Sequence, residues 1–158
     1  MLKTQGDIRY EDSIDQIVKT TIEQFGGIDI LINNASAISL TPTELTEPKR
    51  WDLMHDINVR GTFFMSRACI PHLKRAENPH ILNLSPPLNM DSSWFGRYLA
   101  YTMSKYGMSM VAFGLAEELK QHRIGVYGLW PKTTIATAAI QNVVGGEVLM
   151  QRSRKPEI

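Results

Sequence analysis

Apolar residues along the chain alternate between two spacings. Ile14, Ile17, Val18, Thr21, Ile22 and Phe25 recur at the three-and-four interval of one helix face. Asp12 or Ser13 stands where a side chain caps such a helix, and Gly26-Gly27 follows where glycine ends one. Residues 28–32 form a short β-branched run closed by Asn33-Asn34. Near-continuous apolarity of this kind predicts a parallel strand covered on both faces. A Ser- and Thr-rich loop containing Pro42 leads to a long helix predicted over 48–74. Proline suits its first turn, and Trp51, Met54, Ile57, Phe64 and Ala68 supply the apolar spacing. Gly61 and Pro71 mark places where it bends or ends early.

A second buried strand is predicted over 80–84 and is terminated by Pro86-Pro87. Residues 88–97 read as a loop anchored by Trp94 and Phe95. A helix follows over 98–122, apolar on more than one side through Met108, Met110, Val111, Phe113, Leu115 and Ala116. A third strand over 124–130 is closed by Pro131, a helix is expected within 133–144, and a polar tail occupies 147–158. Helix, strand, helix, strand, helix, strand, with crossovers long enough for parallel pairing, is the α/β order of a doubly wound sheet.

Composition narrows the function classes. With 158 residues, 43% hydrophobic and 21% charged, the chain suffices for one domain with one sizeable core. A net charge of +1 gives no global attraction to nucleic acid or membrane. The single cysteine, Cys69, follows Phe63, Phe64, Met65 and Ala68, which marks it as a buried structural thiol in a reducing compartment. Four scattered histidines and one cysteine provide no metal-ligand spacing. No apolar run is long enough for a membrane span. Residues 1–6 lack the apolar core of a secretory signal, and the final Lys-Pro-Glu-Ile is not a peroxisomal address.

The chemistry sits in one helix. Tyr101 and Lys105 are four apart, so they stack on one face a turn apart. A phenol with its ordinary pKa of ~10 is a poor acid-base group near neutrality, and an adjacent ammonium favours its ionised form. Such a pair suits proton transfer to or from a carbonyl or alcohol oxygen. The same spacing also occurs on solvated helix faces, so the surrounding residues decide. In open α/β sheets, ligands bind beyond the carboxyl ends of the strands. Polar residues fall at those ends here: Asn33-Asn34-Ala35-Ser36, Ser85-Pro86 and Pro131-Lys132-Thr133. Asn58 lies inside the long helix, where its side-chain amide can stabilise a local break.

With Asn33-Asn34-Ala35, Asn58, the 81–85 strand end, Tyr101-x-x-x-Lys105 and Pro131-Lys132-Thr133 in this order, the chain resembles the short-chain dehydrogenase/reductase family over nearly its whole length. The resemblance implies that Tyr101 donates a proton to a carbonyl oxygen while a nicotinamide delivers hydride to the carbon. It implies that Lys105 lowers the tyrosine pKa and binds the nicotinamide ribose, and that Asn58 holds a water in a relay behind the lysine. Asp7 falls near the cofactor's adenine, and Asn33 and Ala35 line the adenosine side. Pro131 and Thr133 complete the cofactor set, with Thr133 at the carboxamide. The implied cofactor is NADP, or else NAD. The implied substrate is a small hydrophobic carbonyl or alcohol, lipid-like in character, and the implied location is intracellular, in peroxisomes or mitochondria. The helices near 50–74 and 98–121 are those through which the family pairs, so a homo-oligomer is expected, with no nucleic-acid partner.

Two departures from the family pattern stand out. The family's substrate-orienting serine is the second of two ending its strand, and Pro86 fills that slot. Ser85, Ser92 and Ser93 are the hydroxyls left nearby, with Ser85 the catalytic candidate. No glycine-rich phosphate loop occurs anywhere in the chain. The expected architecture is therefore a partial doubly wound Rossmann-type parallel sheet lacking the first βαβ strands, an incomplete NAD(P)-binding domain over 1–146. Residues 28–32 would form an open sheet edge, and the pyrophosphate would lack its helix N-terminus. Two functions follow: an NADP-dependent oxidoreductase, or a non-catalytic fragment that pairs with a full-length family member.

Overall fold

The computed structural model describes residues 1–144 and 146–156. Gly145 and the last two residues of the expected tail, Glu157 and Ile158, lie outside the described residues.

Helix α1 spans Glu11–Phe25 and ends at Gly26, whose φ of 81° is open to glycine at no steric cost. Its start differs from the sequence expectation. Tyr10 occupies the N-cap without a side-chain bond, and Asp12 and Ser13 lie inside the first turn. Ser13 Oγ instead accepts the Asp7 backbone N–H at 2.7 Å, folding the N-terminal segment back on the helix.

Three parallel strands, β1 (Ile30–Asn33), β2 (His80–Asn83) and β3 (Gly125–Gly128), form one sheet in the order β1-β2-β3. The register runs from Ile30–His80–Gly125 to Asn33–Asn83–Gly128. Alternation then separates the two faces. Leu31 and Ile81 join Val18 of α1, Cys69 and Leu73 of helix α3 (Thr62–Leu73), Leu115 of helix α4 (Leu99–Glu118), Leu119 and Ile124 in one core cluster. Ile30 and Ile32 point the other way and are 58% and 56% exposed. Coverage of β1 on both faces is therefore corrected to one face: the three long helices contribute to a single side. β1 is also a sheet edge, as the family resemblance implied.

The predicted 48–74 helix is one path in three parts: α2 (Pro48–Met54), a π-helical turn (His55–Gly61) and α3 (Thr62–Leu73). The wide turn is centred on Asn58, where a break was expected, and Pro71 sits in the last turn of α3 without ending it. Helix α4 covers Leu99–Glu118. Gly107 lets it approach the wide turn, because a Cβ there would stand 2.5 Å from Val59 Cγ2. Beyond β3, the helix expected within 133–144 is reduced mainly to a π-helical turn, Ile140–Val144. The expected tail carries helix α5 (Gly146–Arg152), and Arg154 pairs with Ile135. Burial pushes the Cys69 thiol up to about 11, which leaves it unreactive in the core.

Candidate active site

Tyr101 and Lys105 occupy the first two turns of α4, beside the carboxyl ends of β2 and β3. They line a cavity of about 350 Å³ whose wall also includes Leu84, Ser85, Pro86, Trp94, Trp130 and Pro131. Lys105 Nζ donates to the Leu84 carbonyl at 2.7 Å, just past the end of β2, and approaches Met108 Sδ at 3.2 Å and Ser36 Oγ at 3.5 Å. Only the first of these is a strong bond, so a ligand hydroxyl can take the place of the other two.

Burial sets both ionisations. It lowers the Lys105 pKa from 10.5 to about 8 and raises that of the Tyr101 phenol above its ordinary value. Lys105 was expected to lower the tyrosine pKa, and the direction in this structure is the opposite. Desolvation is the leading cause at both groups, because each loses water that would stabilise its charged form. Around neutral pH the pair is a protonated phenol beside a protonated amine. Such a phenol carries the proton that reduction of a carbonyl requires.

Asn58 is fully buried and its amide is committed. Oδ1 accepts the Ala37 N–H at 2.8 Å, and Nδ2 donates to the Ala37 carbonyl at 2.9 Å and to Ser104 Oγ at 2.9 Å. Ser104 Oγ in turn donates to the Tyr101 carbonyl at 2.8 Å. The amide thus clamps the loop after β1 to the turn of α4 that carries the tyrosine. Its side chain works as a tie between these two segments.

The expectation for Asn33 is corrected. Its side chain turns into the core, where Nδ2 donates to Asn83 Oδ1 at 2.8 Å and to Ser66 Oγ at 3.1 Å. It binds β1 to β2 and α3 and offers no amide to an adenosine. Asp7 and Ala35, by contrast, do come together, in an open cleft of about 700 Å³ shared with Gly6, Arg9 and Ser36. The Arg9 guanidinium grips the Asp7 carboxylate and holds its pKa below the ordinary value. Arg60, from the wide turn, donates to the Arg9 carbonyl and fixes this segment against the fold. Ser36 borders the cleft, and its hydroxyl lies 3.5 Å from Lys105 Nζ, so it stands between the Asp7–Ala35 cleft and the Tyr101–Lys105 pair. Ser36 was legible as one of the polar residues at the end of the first strand, but no sequence feature assigned it a role of its own.

Pro131 lines the cavity, whereas Thr133 is exposed and outside its wall. Ser85 borders the cavity, but its hydroxyl is enclosed without a hydrogen-bond partner among the described residues. A Cβ on Gly128 would meet that oxygen at 3.2 Å, so the hydroxyl lies against β3. Ser92 and Ser93 sit in an exposed turn and do not line the cavity. Ser85→Ala is therefore expected to stabilise the fold by up to about 1 kcal/mol, since it removes an unpaired buried hydroxyl. It is also expected to keep carbonyl reduction within about tenfold of the parent. A loss of about 10²–10³ would return Ser85 to the catalytic set.

Among the described residues no group of three or more His, Cys, Asp or Glu side chains converges, and no helix is long and apolar enough to cross a membrane. A family model for short chain dehydrogenase matches residues 1–146. Hydroxysteroid dehydrogenase-like protein 2 of Danio rerio is 54% identical over 152 residues, 96% of this chain and 36% of that protein. The chain thus spans about a third of that curated relative's length. A short-chain dehydrogenase from Mycobacterium thermoresistibile superposes with a TM-score of 0.87 at 55% identity, covering 96% of this chain and 54% of that one. A metagenomic short-chain oxidoreductase solved in complex with NADP superposes with a TM-score of 0.70 at 27% identity, covering 83% and 59%.

Proposed function

Because the chain belongs to the short-chain dehydrogenase family, we propose that it carries the acid-base half of an NADP-dependent oxidoreductase acting on small hydrophobic carbonyl or alcohol compounds. The observation that carries this reading is the desolvated Tyr101–Lys105 pair, set in an apolar cavity, with Ser36 of the Asp7–Ala35 cleft 3.5 Å from Lys105 Nζ. Residues at both ends fit a nicotinamide dinucleotide: Lys105 and Ser36 at the nicotinamide ribose, Asp7 and Ala35 at the adenine. NADP is preferred over NAD on the strength of the NADP-bound metagenomic relative. When bound, the nicotinamide supplies hydride exchange. The chain supplies the rest: Tyr101 gives its phenolic proton to the carbonyl oxygen, Lys105 holds positive charge beside it, and Leu84 and Pro86 give the cavity an apolar wall. Pro131 remains the cavity-wall contact for the nicotinamide end. Peroxisomes or mitochondria are the location this reading carries.

The direct test is titration of the purified chain with NADPH, followed by cofactor fluorescence. Saturable binding is expected, and its absence at millimolar cofactor defeats independent catalysis. One set of observations favours a second reading, in which a partner chain completes the fold. Ile30 and Ile32 are open on β1, and α4 displays Leu99, Met103, Met110 and Phe113 along one stripe, Phe113 at 75% exposure. Pairing through α3 and α4 is the interface we propose. Cofactor binding that emerges only when the chain forms an oligomer would decide for it.

Acid-base roles also set a pH profile. Lys105, with its pKa lowered to about 8, is charged below that pH and neutral above it. The Tyr101 phenol, its pKa raised, keeps its proton across the same range. Carbonyl reduction is expected to be level below about pH 8 and to fall tenfold per pH unit above it. Lys105→Arg, which stays protonated, is expected to lose that descending limb. A wild-type profile flat through pH 9 sinks the assignment.

A further inference from the structure

Resting on the oxidoreductase reading above, we infer that Trp94 and Trp130 form an aromatic clamp that selects neutral, ring-bearing carbonyl compounds. The two indoles come from separate segments, the turn before α4 and the chain just after β3. Both line the Tyr101 cavity while 52% exposed. Indole carries a polar N–H and a large apolar face, and an exposed pair on one cavity is a costly arrangement unless something covers it.

The turn bearing Trp94 is held firmly to the catalytic helix. Thr102 Oγ1 donates to the Trp94 carbonyl at 3.1 Å, Tyr106 OH donates to the Asn89 carbonyl at 2.8 Å, and Phe95 packs edge-on against the Tyr106 ring. Asp91 caps the turn by accepting the Ser93 N–H at 2.8 Å. Trp94 is thereby fixed at the cavity mouth, and the loop spends its polar groups on its own attachment.

Those same bonds decide the polarity of the ligand. Thr102 and Tyr106 have used their hydroxyl protons, and the Ser85 hydroxyl is enclosed. Lys105 is the only charged side chain among the described residues lining the cavity. One polar end, at Tyr101 and Lys105, faces a wall of Trp94, Trp130, Leu129 and Pro86. A ligand with one carbonyl oxygen and an aromatic or alicyclic body satisfies every group present. A carboxylate or phosphate elsewhere on its body finds no counter-charge and loses its hydration. The volume, near the low end of the usual ~300–1,000 Å³ for ligand sites, fits a compact ring compound.

Isothermal titration with 2-tetralone, with and without saturating NADP⁺, tests this. Saturable binding is expected, weakened about tenfold by Trp94→Ala and by Trp130→Ala, the scale of one aromatic contact. Trp94→Phe and Trp130→Phe are expected to recover most of the affinity, and a melting curve checks that each variant is folded. Benzaldehyde is expected to bind at least about tenfold more tightly than 4-formylbenzoate. Unchanged affinity in both alanine variants, equal binding of the carboxylate compound, or no 2-tetralone binding under either condition overturns the clamp. The titration involves no turnover. Binding through the indoles without reduction would therefore defeat the oxidoreductase reading alone, and reduction indifferent to both alanine variants would defeat the clamp alone.

Discussion

Tyr101→Phe is expected to cut NADPH-dependent reduction of an apolar ketone by about 10²–10⁴-fold, the range supplied by one positioned proton donor. NADPH affinity should stay close to the parent value. The change removes a single oxygen, and among the described residues none is hydrogen-bonded to that hydroxyl, so the cavity wall keeps its shape. In kinetic terms kcat should fall while KM barely moves, because the lost interaction is made in the transition state and not in the bound ground state. Steady-state rates from NADPH absorbance, together with a binding titration of the same variant, separate these quantities. Unchanged turnover refutes the role given to Tyr101. A parallel loss of cofactor binding would show the ring to be a structural wall.

Much of this architecture was legible because local periodicity and tertiary environment agree along the chain. The three-and-four spacing of Ile14, Val18 and Ile22 predicted α1, and the short apolar runs before Asn33 and Ser85 predicted β1 and β2. The break at Asn58 was legible too, because an interior asparagine has few reasons to sit in a helix. What the break holds was not, since its partner, Ala37, lies in a distant loop and backbone groups leave no residue-type signature. Asn33 misled for the same reason. A strand-end asparagine serves a ligand or a core network equally well, and only Asn83 and Ser66 show which. The run over 28–32 has the composition of a doubly covered strand, yet Ile30 and Ile32 are open. Composition records the environment a strand suits, and the covering must come from elsewhere. The tyrosine pKa failed for an energetic reason. Spacing reveals a neighbouring charge, while desolvation depends on walls contributed by Leu84, Trp94 and Trp130 from three separate segments.

Asn58→Asp is expected to destabilise the fold by about 3–5 kcal/mol, the scale of burying a charge without its partner. The replacement matches asparagine in shape, so packing around residue 58 is preserved and the effect isolates the two Nδ2 protons. In their place an oxygen would face the Ala37 carbonyl at 2.9 Å and Ser104 Oγ at 2.9 Å. Ser104 can rotate its proton toward the new acceptor, but the Ala37 carbonyl has none to give. The carboxyl therefore either ionises in a site with no water or takes up a proton, and the second course relieves the clash as pH falls. Stability of this variant should accordingly rise as the pH falls from about 7 to about 4, the window between the raised folded-state pKa of the carboxyl and its unfolded value, whereas the parent shows no such gain. At about 2–4 °C per kcal/mol for a chain of this size, the neutral-pH melting temperature should drop by roughly 6–20 °C. A melting temperature within about 2 °C of the parent would show that the amide is not the tie between the β1 loop and α4. Ser104, which passes the contact on to the Tyr101 carbonyl, makes the same tie a determinant of activity. Below its melting transition the variant should still reduce ketones more slowly than the parent, because the loop bearing Ser36 is no longer clamped beside Lys105.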